Sequence, residues 1–251
     1  MNTRETLYTT YANAQKYNLT SIALYTRDGE AVTHGRLLEE TDKAAAGLLT
    51  YKNGDDFKIG VISSSSYEEA VFLLAASKIG AVSKFIDFTK NITEISESIT
   101  ESSVKVLVMG AEFLPMEPFI NPAEMPVIVL GETPSDRPHY CKYADLLEKV
   151  VDYRFSAIPY RDGVCAVIIN SSGTTGTPKP IKLSDRAINA AVLMHKKSDL
   201  PLMSSNIMLK IIHLFWEWGS FQRCIPALFP EPQSSILLLM VRMGLSTEPS
   251  V

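Results

Sequence analysis

Residues 171–179 combine serine, threonine and glycine with a closing proline and lysine, a composition that suits a phosphate-binding loop. The run follows residues 164–169, an apolar segment typical of a buried strand. Gly173 and Gly176 allow backbone conformations that other residues avoid, so that successive N–H groups can converge on one anion. The hydroxyl groups and Lys179 add hydrogen-bond donors and a positive charge. The run therefore predicts a cradle for phosphate.

The spacing of this run differs from that of the common nucleotide-binding P-loop, G-x-x-x-x-G-K-[ST]. Gly173 and Gly176 are three positions apart, and Pro180 follows Lys179. A P-loop kinase or GTPase is therefore not expected. A run of this composition can also be a flexible loop without a ligand. Its place between a predicted strand and a predicted helix favours phosphate binding.

The composition is that of a globular protein, with 46% hydrophobic and 21% charged residues among 251. The formal net charge of -4 argues against a general nucleic-acid or anionic-membrane surface, so small molecules are the expected partners. The N-terminus lacks the apolar stretch of a signal peptide, and the apolar run at residues 236–241 is too short to span a bilayer. We therefore expect a soluble, cytoplasmic protein without a transmembrane segment.

The three cysteines, Cys141, Cys165 and Cys224, are widely separated along the chain and have no metal-ligand spacing. Free cysteine commonly packs as a small hydrophobic residue. We therefore expect reduced and mostly buried thiols.

The elements that must hold the loop begin with a small antiparallel ribbon. Asp28 and Gly29 suit a tight turn between two short strands, residues 22–25 and 31–32. Thr33 can cap the helix that follows. The buried face of this helix is predicted to contain Leu37, Leu38, Thr41, Ala44, Ala45, Leu48 and Leu49.

An alternating series of strands and helices follows the ribbon. The predicted strands are residues 59–62, 81–86, 104–108, 127–130, 164–169 and 207–212. The predicted helices are residues 67–79, 91–102, 143–150 and 185–197, the last with Ser184 as its N-cap. Such alternation is typical of parallel sheets covered by helices. The predicted fold class is therefore α/β, with parallel-rich sheets and helices on both faces.

Several of these segments resemble one family. Residues 172–179 read S-G-T-T-G-T-P-K and are similar to its signature, S-G-[ST]-T-G-x-P-K-G. Residues 78–82 read K-I-G-A-V and are similar to its K-x-G-A-V turn, and residues 104–108 resemble its next strand. From about residue 20 to about residue 220, the chain resembles the N-terminal part of the AMP-forming adenylating superfamily. This superfamily includes acyl-CoA synthetases, aryl-CoA ligases, luciferases and the adenylation domains of nonribosomal peptide synthetases.

The resemblance implies that a carboxylate attacks the α-phosphate of ATP, which releases pyrophosphate and leaves an acyl-adenylate for capture by a thiol such as CoA or by an amine. It implies that Ser171 contacts Mg²⁺, and it assigns no catalytic residue in this sequence. His213, Trp216 and Gly219 are implied at the acid pocket, although Trp216 can equally be a core aromatic. The implied ATP-binding residues are Ser171, Ser172, Gly173, Thr174, Thr175, Gly176, Thr177, Pro178 and Lys179.

Two residues depart from the family pattern. Pro180 replaces the glycine that closes the signature, which removes an N–H group and restricts the backbone. Asp185 stands where a histidine is common, so that a basic group is missing. Both changes are expected to alter nucleotide affinity or loop closure.

The family pattern continues beyond residue 251, and the ribose-binding aspartate, the hinge and the small C-terminal domain are not found. Residues 1–251 are therefore expected to form an incomplete N-terminal AMP-binding domain, with a first βαβ layer at about 1–155 and the loop strand, helix and truncated second layer at about 156–251. Two functions stay open. One is a truncated ATP-dependent carboxylate ligase, inactive alone, and the other is a noncatalytic nucleotide-binding or interaction module of the same fold. Uncovered apolar segments such as residues 236–241 predict a homo-oligomer or a partner chain.

Overall fold

The computed structural model describes residues 2–26, 29–64, 66–121, 125–133, 137–150, 152–170, 179–196, 207–210 and 237–240. Its strands are β1 (Ile22–Tyr25), β2 (Ala31–Thr33), β3 (Lys58–Ile62), β4 (Val82–Phe85), β5 (Val106–Gly110), β6 (Val127–Leu130), β7 (Tyr140–Lys142), β8 (Cys165–Asn170), β9 (Pro180–Ser184), β10 (Ile207–Lys210) and β11 (Leu237–Met240). Its helices are α1 (Leu7–Gln15), α2 (His34–Leu49), α3 (Ser66–Ile79), α4 (Ile92–Glu101), α5 (Glu117–Ile120), α6 (Tyr143–Glu148) and α7 (Asp185–Lys196), and a 3₁₀ helix at Ala111–Met116 precedes α5.

Seven strands form one sheet in the order β7-β6-β5-β3-β4-β8-β9. All neighbours in this sheet run parallel except β9, which is antiparallel to β8. This sheet therefore contains strands from both of the predicted parts of the chain, residues 1–155 and residues 156–251. Apart from it, β10 and β11 form a parallel pair, and β11 lies beside β1. Because β4 and β8 are parallel neighbours, their carboxyl ends lie side by side.

Helices cover both faces of the sheet, as predicted. Successive residues of a strand point to opposite faces, so Val106 and Val108 of β5 join the core formed with α1, α2, α3, α6 and α7. Leu107 and Met109 join the other core, which contains Ile95 of α4. Because both faces are buried, the strands read as continuous apolar runs in the sequence. The predicted α/β class is confirmed.

Local sequence explains several of the predicted starts and turns. The Thr33 hydroxyl accepts the Arg36 N–H at 3.1 Å and caps α2. Asn91 and Glu94 form a capping box at the start of α4. The ribbon of β1 and β2 is antiparallel, and Gly29 in its turn has a φ of 85°, which favours glycine.

Some predictions of burial were wrong. Leu49 was predicted to be buried but is 41% exposed, and it is the last residue of α2. Cys141 and Cys165 are free thiols but only half-buried, since one lies on an edge strand and the other is the first residue of β8. α1, the 3₁₀ helix, α5, β7, β9 and β11 were not predicted from the sequence.

Candidate functional site

The described residues frame the predicted phosphate loop from both ends. Asn170 is the last residue of β8, and Lys179 directly precedes β9. The predicted pocket residues His213, Trp216 and Gly219 lie outside the described residues. So do the other predicted ATP-binding residues, which are Ser171, Ser172, Gly173, Thr174, Thr175, Gly176, Thr177 and Pro178.

The pairing of β8 with β9 places the two ends of the loop side by side. Asn170 is the Cα partner of Pro180 in the antiparallel register. The nine residues 171–179 therefore leave and rejoin the sheet at one place, the carboxyl end of β8. This edge is where open α/β sheets bind their ligands. The sequence predicts the loop between a strand and a helix, whereas in the structure β9 lies between the loop and α7.

Pro180 lies in β9 rather than in the loop. It is exposed and is the first residue of an edge strand, a position that tolerates the missing N–H group. Its restricted backbone therefore acts where the chain leaves the loop. Lys179, directly before it, is also exposed.

Asp185 joins three helices through hydrogen bonds. Its Oδ1 accepts the Leu7 N–H at 2.8 Å and the Ser77 hydroxyl at 3.4 Å. Burial raises the pKa of this carboxyl, while the two donated hydrogen bonds lower it. The residue at the expected histidine position thus ties α7 to α1 and α3.

A pocket of ≈ 160 Å³ opens at the carboxyl ends of β4 and β8, beside the start of the loop. α4 forms its opposite wall, and carboxylates outnumber lysines in its lining. The lining consists of Lys84, Ile86, Asp87, Lys90, Glu94, Ile95, Glu97, Ser98, Glu101, Ser102, Asn170 and Pro180.

Lys84 is the buried charge of this pocket, with 1% of its surface exposed. Its Nζ donates to Asn170 Oδ1, and Asn170 Nδ2 donates to Ser98 Oγ at 3.1 Å. Burial lowers the pKa of Lys84 to about 8, although the Glu101 carboxylate acts to raise it. Lys84 was not predicted as a site residue. The available signal was a lysine inside a predicted strand, where a buried charge is rare unless it has a partner.

Comparison with known proteins decides the family. A family model described as AMP-binding enzyme matches residues 11–229. The chain belongs to the AMP-binding enzyme family. The matched region of this AMP-binding chain contains the loop at residues 171–179 and the pocket beside it.

Curated relatives of the AMP-binding chain are ligases and peptide synthetases. The chain is 25% identical over 217 residues to 4-coumarate–CoA ligase 2 of Petroselinum crispum, which covers 82% of this chain and 38% of the relative. It is 26% identical over 152 residues to surfactin synthase subunit 1 of Bacillus subtilis (strain 168), which covers 61% of this chain and 4% of the relative. The chain spans less than half the length of these relatives.

Solved structures share the fold. The anthranilate CoA ligase AuaEII, in complex with anthranoyl-AMP, superposes with a TM-score of 0.83 at 20% identity and covers 95% of this chain and 46% of that protein. ATP-bound MatB from Rhodopseudomonas palustris superposes with a TM-score of 0.77 at 18% identity and covers 95% and 45%. The fold is therefore that of the N-terminal domain of adenylate-forming enzymes.

None of the helices in the described part of the AMP-binding chain is long and apolar enough to cross a bilayer. In these same residues, no three His, Cys, Asp or Glu side chains converge as metal ligands. The adjoining loop ends and the exposed Lys179 suit the phosphates of a nucleotide, while Ser171, the predicted Mg²⁺ contact, lies outside the described residues.

Proposed function

We propose that this chain supplies the ATP-binding part of an enzyme that activates a carboxylic acid as its acyl-adenylate, for transfer to a thiol such as CoA. The observation that carries the proposal is the position of the S-G-T-T-G-T-P-K run between β8 and β9, at the carboxyl edge of the sheet. Membership in the AMP-binding enzyme family supports it. In this proposal, residues 1–155 build the first layer of the domain and residues 156–251 carry the loop.

The loop is proposed to hold the β- and γ-phosphates of ATP. Backbone N–H groups and hydroxyls of residues 171–178 converge on the phosphate oxygens, and Lys179 adds a positive charge. Mg²⁺, held by Ser171, supplies further neutralisation of the phosphates when bound. Because Asn170 and Pro180 are paired, both ends of the loop stay fixed to the sheet while the phosphates bind.

The proposed reaction is a displacement at phosphorus. A carboxylate oxygen of the acid attacks the α-phosphorus, the bond from this phosphorus to the bridging oxygen breaks, and pyrophosphate leaves with the electron pair. The loop stabilises the charge that develops on the leaving group and keeps the reacting groups aligned. The acyl-adenylate is a mixed anhydride, and thiol attack on its carbonyl carbon releases AMP.

The proposed substrate is an acid with an apolar, aromatic body. Relatives and neighbours of the chain include 4-coumarate–CoA ligases and an anthranilate CoA ligase, which are named for aromatic acids. His213, Trp216 and Gly219 follow β10 in the sequence, and the indole ring of Trp216 offers a flat apolar wall for such an acid.

Calorimetric titration of the full chain with Mg²⁺–ATP tests the loop. Lys179→Ala removes a charge-assisted contact and is expected to weaken binding by roughly 10-fold or more. Lys182→Ala removes the same charge from an exposed residue of β9 and is the matched control, with an unchanged Kd expected. Equal affinity of the Lys179→Ala variant and the wild type would show that this lysine does not hold the phosphates.

Pyrophosphate release with a panel of carboxylic acids tests the chemical step. Because the chain is proposed to supply only the ATP-binding part of the enzyme, ATP binding without pyrophosphate release is expected for the chain alone. Release that requires both ATP and an acid would instead show that this chain carries out the activation step by itself. If the wild-type chain binds no ATP, the whole proposal fails for it.

A further inference from the structure

We propose that Lys84, Asn170 and Ser98 form a partly buried bridge that positions the start of the phosphate loop. The bridge consists of two hydrogen bonds, from Lys84 Nζ to Asn170 Oδ1 and from Asn170 Nδ2 to Ser98 Oγ. Its role in ligand binding rests on the proposed function, whereas the bridge itself can be tested without a ligand.

The strand register brings the three residues together. β4 and β8 are parallel neighbours in which Lys84 is the Cα partner of Ile168. Asn170 therefore lies two positions further along β8, within reach of the long lysine side chain. The other side of its amide meets Ser98 on α4, which packs over this face of the sheet.

Both groups of the Asn170 amide are thus occupied, one by a strand and the other by a helix. The backbone of the same residue is held a third way, through its pairing with Pro180. A peptide bond joins Asn170 to Ser171, the first residue of the loop. The loop therefore starts from a residue with a fixed orientation, and Lys84 is a positioning residue that acts through Asn170.

The choice of lysine at this buried position supports a specific role. An apolar side chain of similar length, such as methionine, would fill the volume without removing an ammonium group from water. Lys84 is 1% exposed, and its hydrogen-bond partner is a neutral amide rather than a carboxylate. The burial of this charge is therefore a cost that packing alone does not require.

The charge on Lys84 makes the bridge depend on pH. An ammonium group donates a stronger, charge-assisted hydrogen bond than a neutral amine. Because burial lowers the pKa of Lys84 to about 8, the bridge weakens as pH rises through this value. β8 and β9 contribute the uncharged Asn170 and Pro180 to this pocket, and the charged groups that face it from the loop after β4 and from α4 are Asp87, Lys90, Glu94, Glu97 and Glu101.

The first test uses the ligand-free full chain. NMR titration of the Lys84 Cε resonance is expected to show a pKa near 8 in the wild type. Asn170→Asp replaces the amide oxygen with a carboxylate, so the pKa of Lys84 is expected to rise by about one unit or more. An unchanged titration in this variant would show that the two side chains are not in contact and would overturn the bridge.

The second test measures the Kd of Mg²⁺–ATP between pH 6.5 and 9.5 by calorimetry. The wild type is expected to lose affinity as pH passes about 8, and Asn170→Asp is expected to move this loss to higher pH. Lys84→Met is expected to bind about 10-fold more weakly at pH 7, without the pH-dependent loss. Lys90→Met removes a charge from the same pocket without touching Asn170 and is expected to keep the wild-type profile.

The outcomes separate the bridge from the proposed function. A folded Lys84→Met variant with wild-type affinity and the wild-type pH profile would overturn the positioning role. A wild-type chain that binds no ATP would instead refute the proposed function. In that case the NMR titration still decides whether the bridge exists. Hydrogen exchange at residues 171–179 then tests the positioning role, and faster exchange is expected in Lys84→Met than in Lys90→Met. Equal exchange in the two variants would overturn the positioning role.

Discussion

At the scale of single residues, His34 shows how burial sets the state of a titratable group. It is 1% exposed at the start of α2, and its Nδ1 shares a hydrogen bond of 2.6 Å with the Tyr11 hydroxyl. Burial lowers the pKa of the imidazole from 6.5 to about 4. The ring is therefore neutral at pH 7 and packs α1 against α2.

Acid is expected to destabilise the chain through His34. Between pH 6.5 and about 4 the unfolded state binds a proton that the folded state does not, so stability falls as pH falls. This loss amounts to roughly 2.5 kcal/mol at pH 4.5. Urea unfolding at pH 7 and pH 4.5 measures this loss of stability. The loss in His34→Gln is expected to be smaller than the loss in the wild type by about this amount. The same pH dependence in both proteins would contradict the assignment.

At the scale of elements, α1 depends on side chains from elsewhere in the chain. The first N–H groups of a helix have no partner within it. In α1, the Leu7 N–H donates to Asp185 of α7 at 2.8 Å, and the next N–H donates to Ser77 of α3 at 3.1 Å. Thr6, the N-cap, accepts the third. Two distant helices therefore complete the start of α1.

Asp185→Ala is expected to loosen α1 selectively. The variant leaves the Leu7 N–H without its acceptor, at an expected cost of about 1–2 kcal/mol. Hydrogen exchange of the first amides of α1 should become faster, while amides of α4 should stay protected. Asp185→Asn keeps the accepting oxygen and is the matched control. Equal exchange in the alanine and asparagine variants would show that this hydrogen bond does not hold the helix.

At the scale of the whole molecule, Lys78 connects four segments of the helical layer. It is 1% exposed on α3, and its Nζ lies 2.9 Å from Asp42 Oδ1 on α2. The ammonium also lies 5.0 Å from the ring centre of Tyr8 on α1 and 4.2 Å from that of Phe155, which follows α6. One buried cation is thus shared by α1, α2, α3 and the segment that follows α6.

Lys78→Met is expected to lower the free energy of unfolding by about 3 kcal/mol, because it leaves Asp42 without its cation in a mostly buried setting. Urea unfolding at pH 7 measures the change. Lys43→Met removes a half-buried lysine that pairs with the exposed Glu39 on α2 and is expected to cost about 0.5 kcal/mol or less. Similar losses in the two variants would contradict the central role of Lys78.

The elements that sequence analysis predicted well are those whose signals are local. α4 has Asn91 and Glu94 as a capping box and buries Ile95 and Ile99 at helical spacing, all within one short segment. α1 was not predicted, and two of the acceptors for its first N–H groups come from the distant helices α3 and α7. β9 was not predicted because its opening Pro180 is typical of a loop, and only its pairing with β8 makes it a strand.

The sequence by itself determined the family and the α/β class and predicted the phosphate loop, because these follow from short motifs and from the periodicity of apolar residues. Only the tertiary structure decided that Asn170 and Pro180 bring the loop ends together and that Asp185 supports α1. It also revealed the contact of Lys84 with Asn170, two residues 86 positions apart. Such contacts depend on strand order and register, which neighbouring residues in the sequence do not encode.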